Sequence, residues 1–155
     1  MFDTMGYVAS WPTFAASAPA LADSIRKLLH QYGPGFGYLA TIRPDGGPRV
    51  HPVSPVVTDE GLYCFLIPSP KRGDLERDNR YALHSFPAED SDDEAYLAGR
   101  ATPVTEIARR DRLAVACHAA PRVDWRLYEL TVEVAMVTTY RDQVRHLIWR
   151  DPQAA

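Results

Sequence analysis

The stretch IPSPKRGDLERDNRYALHSF, residues 67–86, changes pattern twice. It leaves an apolar, strand-like run and turns through Ser69, Pro70, Lys71 and Arg72. A short polar piece, KRGDLERD (71–78), follows, and then a second apolar run, NRYALHSFP (79–87). A helix of that length does not hold in water alone, so this one must lean on a sheet. Two adjacent cations at its mouth raise an electrostatic question. The first turn of a helix leaves backbone N–H groups unpaired, and its dipole favours negative charge. A phosphate placed there finds donors already aimed at it. Lys71 and Arg72 add charge-assisted hydrogen bonds, Ser69 adds a hydroxyl, and Arg49 on a neighbouring strand reaches the same region. The competing reading is that Lys71 and Arg72 pair with Asp74, Glu76 or Asp78 on the surface.

Upstream of this corner the pattern is that of strands. GYLATIRP (37–44) leads through DGG (45–47) into PRVHPVSPVV (48–57), a hairpin centred on Asp45-Gly46. TDEG (58–61) makes a second turn and LYCFLIP (62–68) a third strand, which reads as one three-strand meander over 37–68. Pro48, Pro52 and Pro55 exclude a regular central strand and place the second strand at an edge, a bulge or a barrel rim. They either face a flat ligand in place of a ladder partner or shape a barrel corner.

Downstream, NRYALHSFP is a fourth strand and AEDSDDE (88–94) a solvated acidic loop without the spacing of a calcium site at Asp90, Asp92, Asp93 and Glu94. AYLAGRATPV (95–104) is a fifth strand, with Gly99 marking a bend or bulge. TEIARRDRLAVACH (105–118) is helical, with Ile107, Leu113, Ala114 and Cys117 in a stripe and Thr105 as N-cap. RLYELTVEVAMVTTY (126–140) reads as one long strand with Leu130, Val132, Val134 and Met136 on one face, and VRHLIW (144–149) closes the set. Residues 1–12 read as irregular. TFAASAPALADSIRKLLHQ (13–31) is helical, the helix proper covering about 19–31, with Leu21, Ile25, Leu28 and Leu29 on one face. YGPGFG (32–37) ends it. The expectation is mainly β: one domain over 1–155 with six to seven antiparallel strands, spanning about 36–149, closing into a barrel with short helices.

Composition narrows the function. The 155 residues are 46% hydrophobic and 24% charged, with a formal net charge of −3. That balance argues against nucleic acid as a partner. Cys64 and Cys117 form no C-x-x-C pair and read as buried thiols in a reducing cytosol. No signal peptide and no membrane-length apolar run is visible, so a cytoplasmic protein is expected. His30, His51, His84, His118 and His146 have no zinc-type spacing, so no metal site is expected, although His51 and His84 lie on strands that could approach. Trp11, Trp125 and Trp149 read as core or interface residues.

The order of elements resembles the pyridoxamine-phosphate-oxidase-like family of flavin-binding split barrels. The resemblance spans about residues 20–140 and rests on LATIRPDGGPRVHPV, SPKRGDLERDNRYALHSF and LAGRATPV. It implies a split β-barrel that binds flavin mononucleotide (FMN) at the interface of a homodimer and acts as an oxidoreductase on a small-molecule substrate. It further implies that Lys71, with Ser69, holds the phosphate, and that Arg49, Val50, His51, Pro52 and Val53 run along the ring. Leu66, Ile67 and Pro68 would supply backbone to the ring and ribityl chain. Arg72 is a second phosphate candidate by charge and position. Related barrels bind a deazaflavin or haem; a deazaflavin-dependent reductase, a non-catalytic carrier or store of flavin or haem, and a barrel with no cofactor remain alternatives. No catalytic acid or base is singled out. Oxidases of pyridoxine phosphate carry a longer C-terminal segment rich in Trp, Arg and His and a basic residue before the lysine. Here the chain reads HLIWRDPQAA (146–155) and Pro70, so oxidation of pyridoxine phosphate itself is not expected.

Overall fold

A computed structural model describes residues 8–116, 119 and 124–154. Cys117 and His118 lie outside the described residues, so the expected helical stripe is followed only to Ala116. The chain opens with two helices, α1 (Trp11–Ser17) and α2 (Pro19–Leu29). The Ser10 side chain caps α1 by accepting from the Thr13 N–H at 3.3 Å, and Pro12 sits in the first turn, where a missing N–H costs nothing. The N-terminal segment is therefore ordered from Ser10 and not irregular to residue 12. Trp11 and Phe14 anchor it in the core, with the Trp149 ring tilted at 53° against Phe14, 4.9 Å between centroids. In α2, Leu21, Ile25 and Leu29 are buried as the spacing predicts, Ala22 joins them, and Leu28 is only partly buried.

Nine strands follow among the described residues: β1 (Gly37–Ile42), β2 (Pro48–Val53), β3 (Val56–Val57), β4 (Leu62–Leu66), β5 (Arg80–Ser85), β6 (Glu94–Pro103), β7 (Arg126–Leu130), β8 (Val134–Thr139) and β9 (Arg145–Arg150). Helix α3 (Pro70–Arg77) joins β4 to β5, and α4 (Ile107–Ala116) joins β6 to β7. Helix α4 begins at Ile107, so Glu106 and not Thr105 stands before it; the Glu106 carbonyl accepts the Arg110 N–H at 2.9 Å. All pairings are antiparallel. The order is β2-β1-β5-β6-β7-β4-β3, with β8 on β6 and β9 on β8. The sheet curls into a half-barrel, the split-barrel form of the expected mainly β class. Strand β6 belongs to both halves: Glu94–Ala98 pair with β8, whereas Ala101–Pro103 pair with β7.

Two further expectations change. The three-strand meander is not contiguous, because β2 and β3 end opposite sides of the order and β4 lies between β3 and β7. The Asp45-Gly46 hairpin between β1 and β2 does form. Gly46 takes φ +83°, and Asp45 Oδ1 accepts the Gly47 N–H at 2.9 Å. The proline-bearing strand is an edge strand, as its prolines demand. Pro48 and Pro52 share one parity, so the N–H groups they lack belong to the unpaired side.

The long strand over 126–140 is two strands. The chain turns at residues 131–133 over Gly99, where the Thr131 N–H donates to Arg100 O at 2.9 Å and the Glu133 N–H to Ala98 O at 2.8 Å. The corner shifts the inward parity. Leu130 and Val132 are buried, but beyond it Ala135 and Val137, not Val134 and Met136, point into the core. A Cβ on Gly99 would lie 2.0 Å from the Thr131 carbonyl oxygen, so this crossing admits only glycine.

Gly99→Ala is expected to lower the unfolding free energy in urea by about 2 kcal/mol or more, the scale of an overpacked site. Gly73→Ala, in α3 with no atom within 4 Å of the added carbon, is expected to be neutral or stabilising by up to about 1 kcal/mol. Equal effects at the two glycines would contradict the crossing.

Candidate functional site

The polar core of the corner is a buried carboxylate. Asp74, in the second turn of α3, is 2% exposed. It accepts from Arg49 Nε at 2.7 Å, Thr41 Oγ1 at 2.8 Å and Arg77 at 3.2 Å. Thr41 and Arg49 are register partners on β1 and β2. Asp74 thus pins α3 across the end of that hairpin. Burial pushes its carboxyl upward, but the hydrogen bonds from Arg49, Thr41 and Arg77 outweigh burial and hold it below the usual carboxylate range.

Strand parity sorts the residues expected along the ring. Arg49, His51 and Val53 pair with Thr41, Leu39 and Gly37 on the inward face of the hairpin, and Val53 is buried. Val50 and Pro52 point to the opposite face, where Val50 is 61% exposed. A single side of the strand therefore presents Arg49 and His51, and five consecutive side chains do not share it.

His51 stands close enough to Lys71 and Arg49 to feel both charges. Partial burial first, then Lys71 and Arg49, push its imidazole below the ordinary histidine value, with Asp74 pulling weakly the other way. His51 and His84 lie on opposite faces of the sheet: His51 pairs with Leu39, and His84 with Tyr38. No group of three or more His, Cys, Asp or Glu side chains suited to a metal occurs among the described residues.

The surface-pairing alternative for Lys71 and Arg72 separates the two. Asp74 is taken by Arg49 and Arg77, Glu76 by Arg126 and Asp78 by Arg80. Arg72 is turned toward the start of β7, donating to Asp124 O at 3.1 Å and Asp124 Oδ2 at 3.2 Å. Lys71 is half-buried and has no carboxylate within ion-pair distance among the described residues. Arg49 and Arg77 share one carboxylate, Asp74, and Lys71 adds a charge with none in ion-pair distance among the described residues, so the corner is locally cationic within a chain of net charge −3.

The helix mouth offers fewer donors than its sequence promises. The Arg72 and Gly73 N–H groups both turn back to Ser69 O, at 3.1 and 3.3 Å, and Pro70 has no N–H. The Ser69 hydroxyl donates to Ile67 O at 3.0 Å and does not cap the helix. Of the residues expected to offer backbone, Leu66 is buried, whereas Ile67 and Pro68 are exposed on the approach to α3. An anion here meets side-chain cations more than a helix end. The sequence offered Asp74 only as a surface partner of Lys71 or Arg72; its burial beside Leu75, paired with Arg49 and Thr41, depends on contacts distant in sequence.

No protein-family model and no curated protein matches the sequence. Solved structures do match it in fold. A pyridoxine-phosphate oxidase family protein of Clostridium acetobutylicum, related to general stress protein 26 of B. subtilis, has a TM-score of 0.59 at 14% identity over 90% of this chain and 95% of that one. A haem-binding protein from Mycobacterium smegmatis has a TM-score of 0.60 at 19% identity over 80% of this chain and 57% of that one. Protein Atu2129 of Agrobacterium tumefaciens, of unknown function, has a TM-score of 0.60 at 22% identity over 77% of this chain and 56% of that one. The chain thus spans little more than half the length of the latter two. The fold is the split barrel found in the pyridoxine-phosphate oxidase family.

Asp74→Asn is expected to cost about 1.5–3 kcal/mol at pH 7, the range for hydrogen bonds to charged groups. The folded-state carboxyl titrates below its unfolded value of about 3.9, so its stabilisation is complete above that pH. It is lost as pH falls through the lower folded value. Urea unfolding at pH 7, 5 and 3 should show the variant's deficit shrinking at the acid end; a constant deficit would contradict the assignment.

Proposed function

We propose that the chain binds FMN and acts as a flavin-dependent oxidoreductase. The observation that carries this reading is Lys71: a half-buried cation without a carboxylate partner among the described residues, beside Arg49 and His51 at the start of α3. The donor set suits a phosphate monoester. Lys71 supplies a mobile point charge, Arg49 a guanidinium whose Nε is already oriented by Asp74, and His51 an imidazole that gains basicity when an anion arrives. Split-barrel relatives in the pyridoxine-phosphate oxidase family support the same reading by fold. FMN, when bound, supplies hydride transfer, and the protein's part is to hold and orient it. Strand β2 then lies along the ligand with Arg49 and His51 toward the phosphate.

The second reading is a haem carrier, favoured by the haem-binding structural relative from M. smegmatis. A deazaflavin on the same barrel is the third. The absorption spectrum of freshly purified protein separates them: flavin bands support the first, a Soret band the second. A colourless protein that takes up deazaflavin and not FMN supports the third.

The proposal includes a homodimer with the cofactor at its interface. The outward face of the sheet supports it: one register row runs Pro52, Tyr38, His84, Tyr96, Met136, Ile148, with Tyr38 and Ile148 exposed at 39% and 52%, and Val50, on the same face of β2, is exposed at 61%. No helix among the described residues is long and apolar enough to cross a membrane.

Lys71→Ala is expected to weaken FMN binding by about 1.5–3 kcal/mol, or roughly ten- to a hundredfold. Fluorescence titration of FMN onto the variant checks it, and an unchanged affinity removes Lys71 from the site. Val50→Arg is expected to leave the melting temperature of the fold nearly unchanged and to shift sedimentation from dimer to monomer. A monomeric wild-type holoprotein would contradict the dimer.

A further inference from the structure

We infer that a cavity beside the anion corner is a binding pocket for a neutral, planar, largely apolar molecule. The cavity has a volume of about 450 Å³ and is lined by His30, Ser54, Val56, Phe65, Ala116 and Trp125 among others. That volume lies in the range of small-molecule sites, roughly 300–1,000 Å³. Phe65 and Trp125 meet edge to face at 6.1 Å and 77°, giving one wall of two aromatic rings in differing planes.

The opposite wall is fixed by close backbone packing. A Cβ on Gly35 would fall 1.6 Å from the Pro55 carbonyl oxygen, so the loop after α2 sits directly on the chain between β2 and β3. His30 ties the same parts together. Its Nε2 accepts the Val57 N–H at 3.4 Å, which leaves Nδ1 to donate to Gly33 O at 3.3 Å. Both ring nitrogens are thus committed to the wall. This walls the space with backbone that cannot collapse easily into it.

The chemistry of the lining selects the ligand. Among the described residues no Asp, Glu, Lys or Arg lines the cavity, so a charged guest would lose hydration to them without compensation. The Ser54 hydroxyl is exposed, has no hydrogen-bond partner among the described residues and offers one polar contact. The aromatic wall favours a flat guest over a bulky aliphatic one.

Position links the pocket to the corner. Ser54 follows Val53 of β2, Phe65 precedes Leu66 at the end of β4, and Trp125 follows Asp124, which Arg72 holds. Three of its walls are chain neighbours of the segments that form the candidate cofactor site. Its assignment as the substrate pocket rests on the flavin reading; binding of a neutral aromatic guest does not.

The test uses 2-naphthol as the neutral probe and 2-naphthoate as its anionic counterpart. Both are titrated by calorimetry into the full chain, first without flavin and then after FMN loading. The expected result is saturable binding of 2-naphthol, at least tenfold weaker binding of 2-naphthoate, and loss of at least tenfold in Ala116→Trp, which fills the cavity from an exposed helix position. Ser54→Ala, a mild surface change, is expected to weaken 2-naphthol roughly three- to tenfold. Absence of 2-naphthol binding, equal affinity for the anion, or binding unaffected by both variants overturns the inference. Naphthol binding to a protein that does not take up FMN leaves the pocket standing and removes the flavin reading. FMN binding without naphthol binding does the reverse.

Discussion

One buried carboxylate organises the functional end of this protein. Asp74 is closed off from solvent and satisfied by three donors from three different segments: Thr41 on β1, Arg49 on β2 and Arg77 on its own helix. Removing a carboxylate from water is costly unless it is fully paired, so the arrangement holds only if α3 lies across the β1–β2 hairpin. That packing brings Lys71 alongside His51. It also explains why a short, highly polar segment is helical at all: only Asp74 and Leu75 of α3 are buried, and its other side chains are half-exposed or exposed.

The charges around α3 divide into two groups. Asp74, Glu76 and Asp78 each neutralise arginines, and Arg72 ties the helix to the start of β7 through Asp124. What remains over is positive and sits on the β2 side. A locally cationic patch in a protein of net charge −3 fits a compact anion, and a phosphate monoester is the chemistry best matched to one ammonium, one oriented guanidinium and one nearby imidazole. The outward face of the same strand is apolar, so β2 has one charged and one greasy side. That division suits a cofactor held along an edge and covered by a second subunit.

Much of the fold was legible in the sequence, for identifiable reasons. The helix 19–29 has a clear apolar stripe, the Asp45-Gly46 turn has hairpin chemistry, and Pro48 and Pro52 put β2 at an edge. Other features were hidden because they depend on contacts distant in sequence. The break at residues 131–133 has no turn residue of its own; it is set by Gly99 some thirty residues earlier, whose missing side chain lets the backbone cross. The apparent meander failed for a similar reason, since β4 finds β7 and not β2. At the site, the cationic residues could be named from the corner motif, but their partition could not. Strand parity separates Val50 and Pro52 from Arg49 and His51. Asp124, 52 residues beyond Arg72, decides that Arg72 is occupied.

The central claim is that a phosphate sits among Lys71, Arg49 and His51. The most direct measurement is the affinity of the apoprotein for FMN beside that for riboflavin, which has the same ring and ribityl chain without the phosphate, at pH 6 and pH 8. The account predicts that FMN binds at least tenfold more tightly, and that its advantage grows toward pH 6 as His51 takes up a proton beside the bound anion. Equal affinities for the two flavins, or an FMN advantage that persists unchanged when Lys71 and Arg49 are both replaced by alanine, would contradict it.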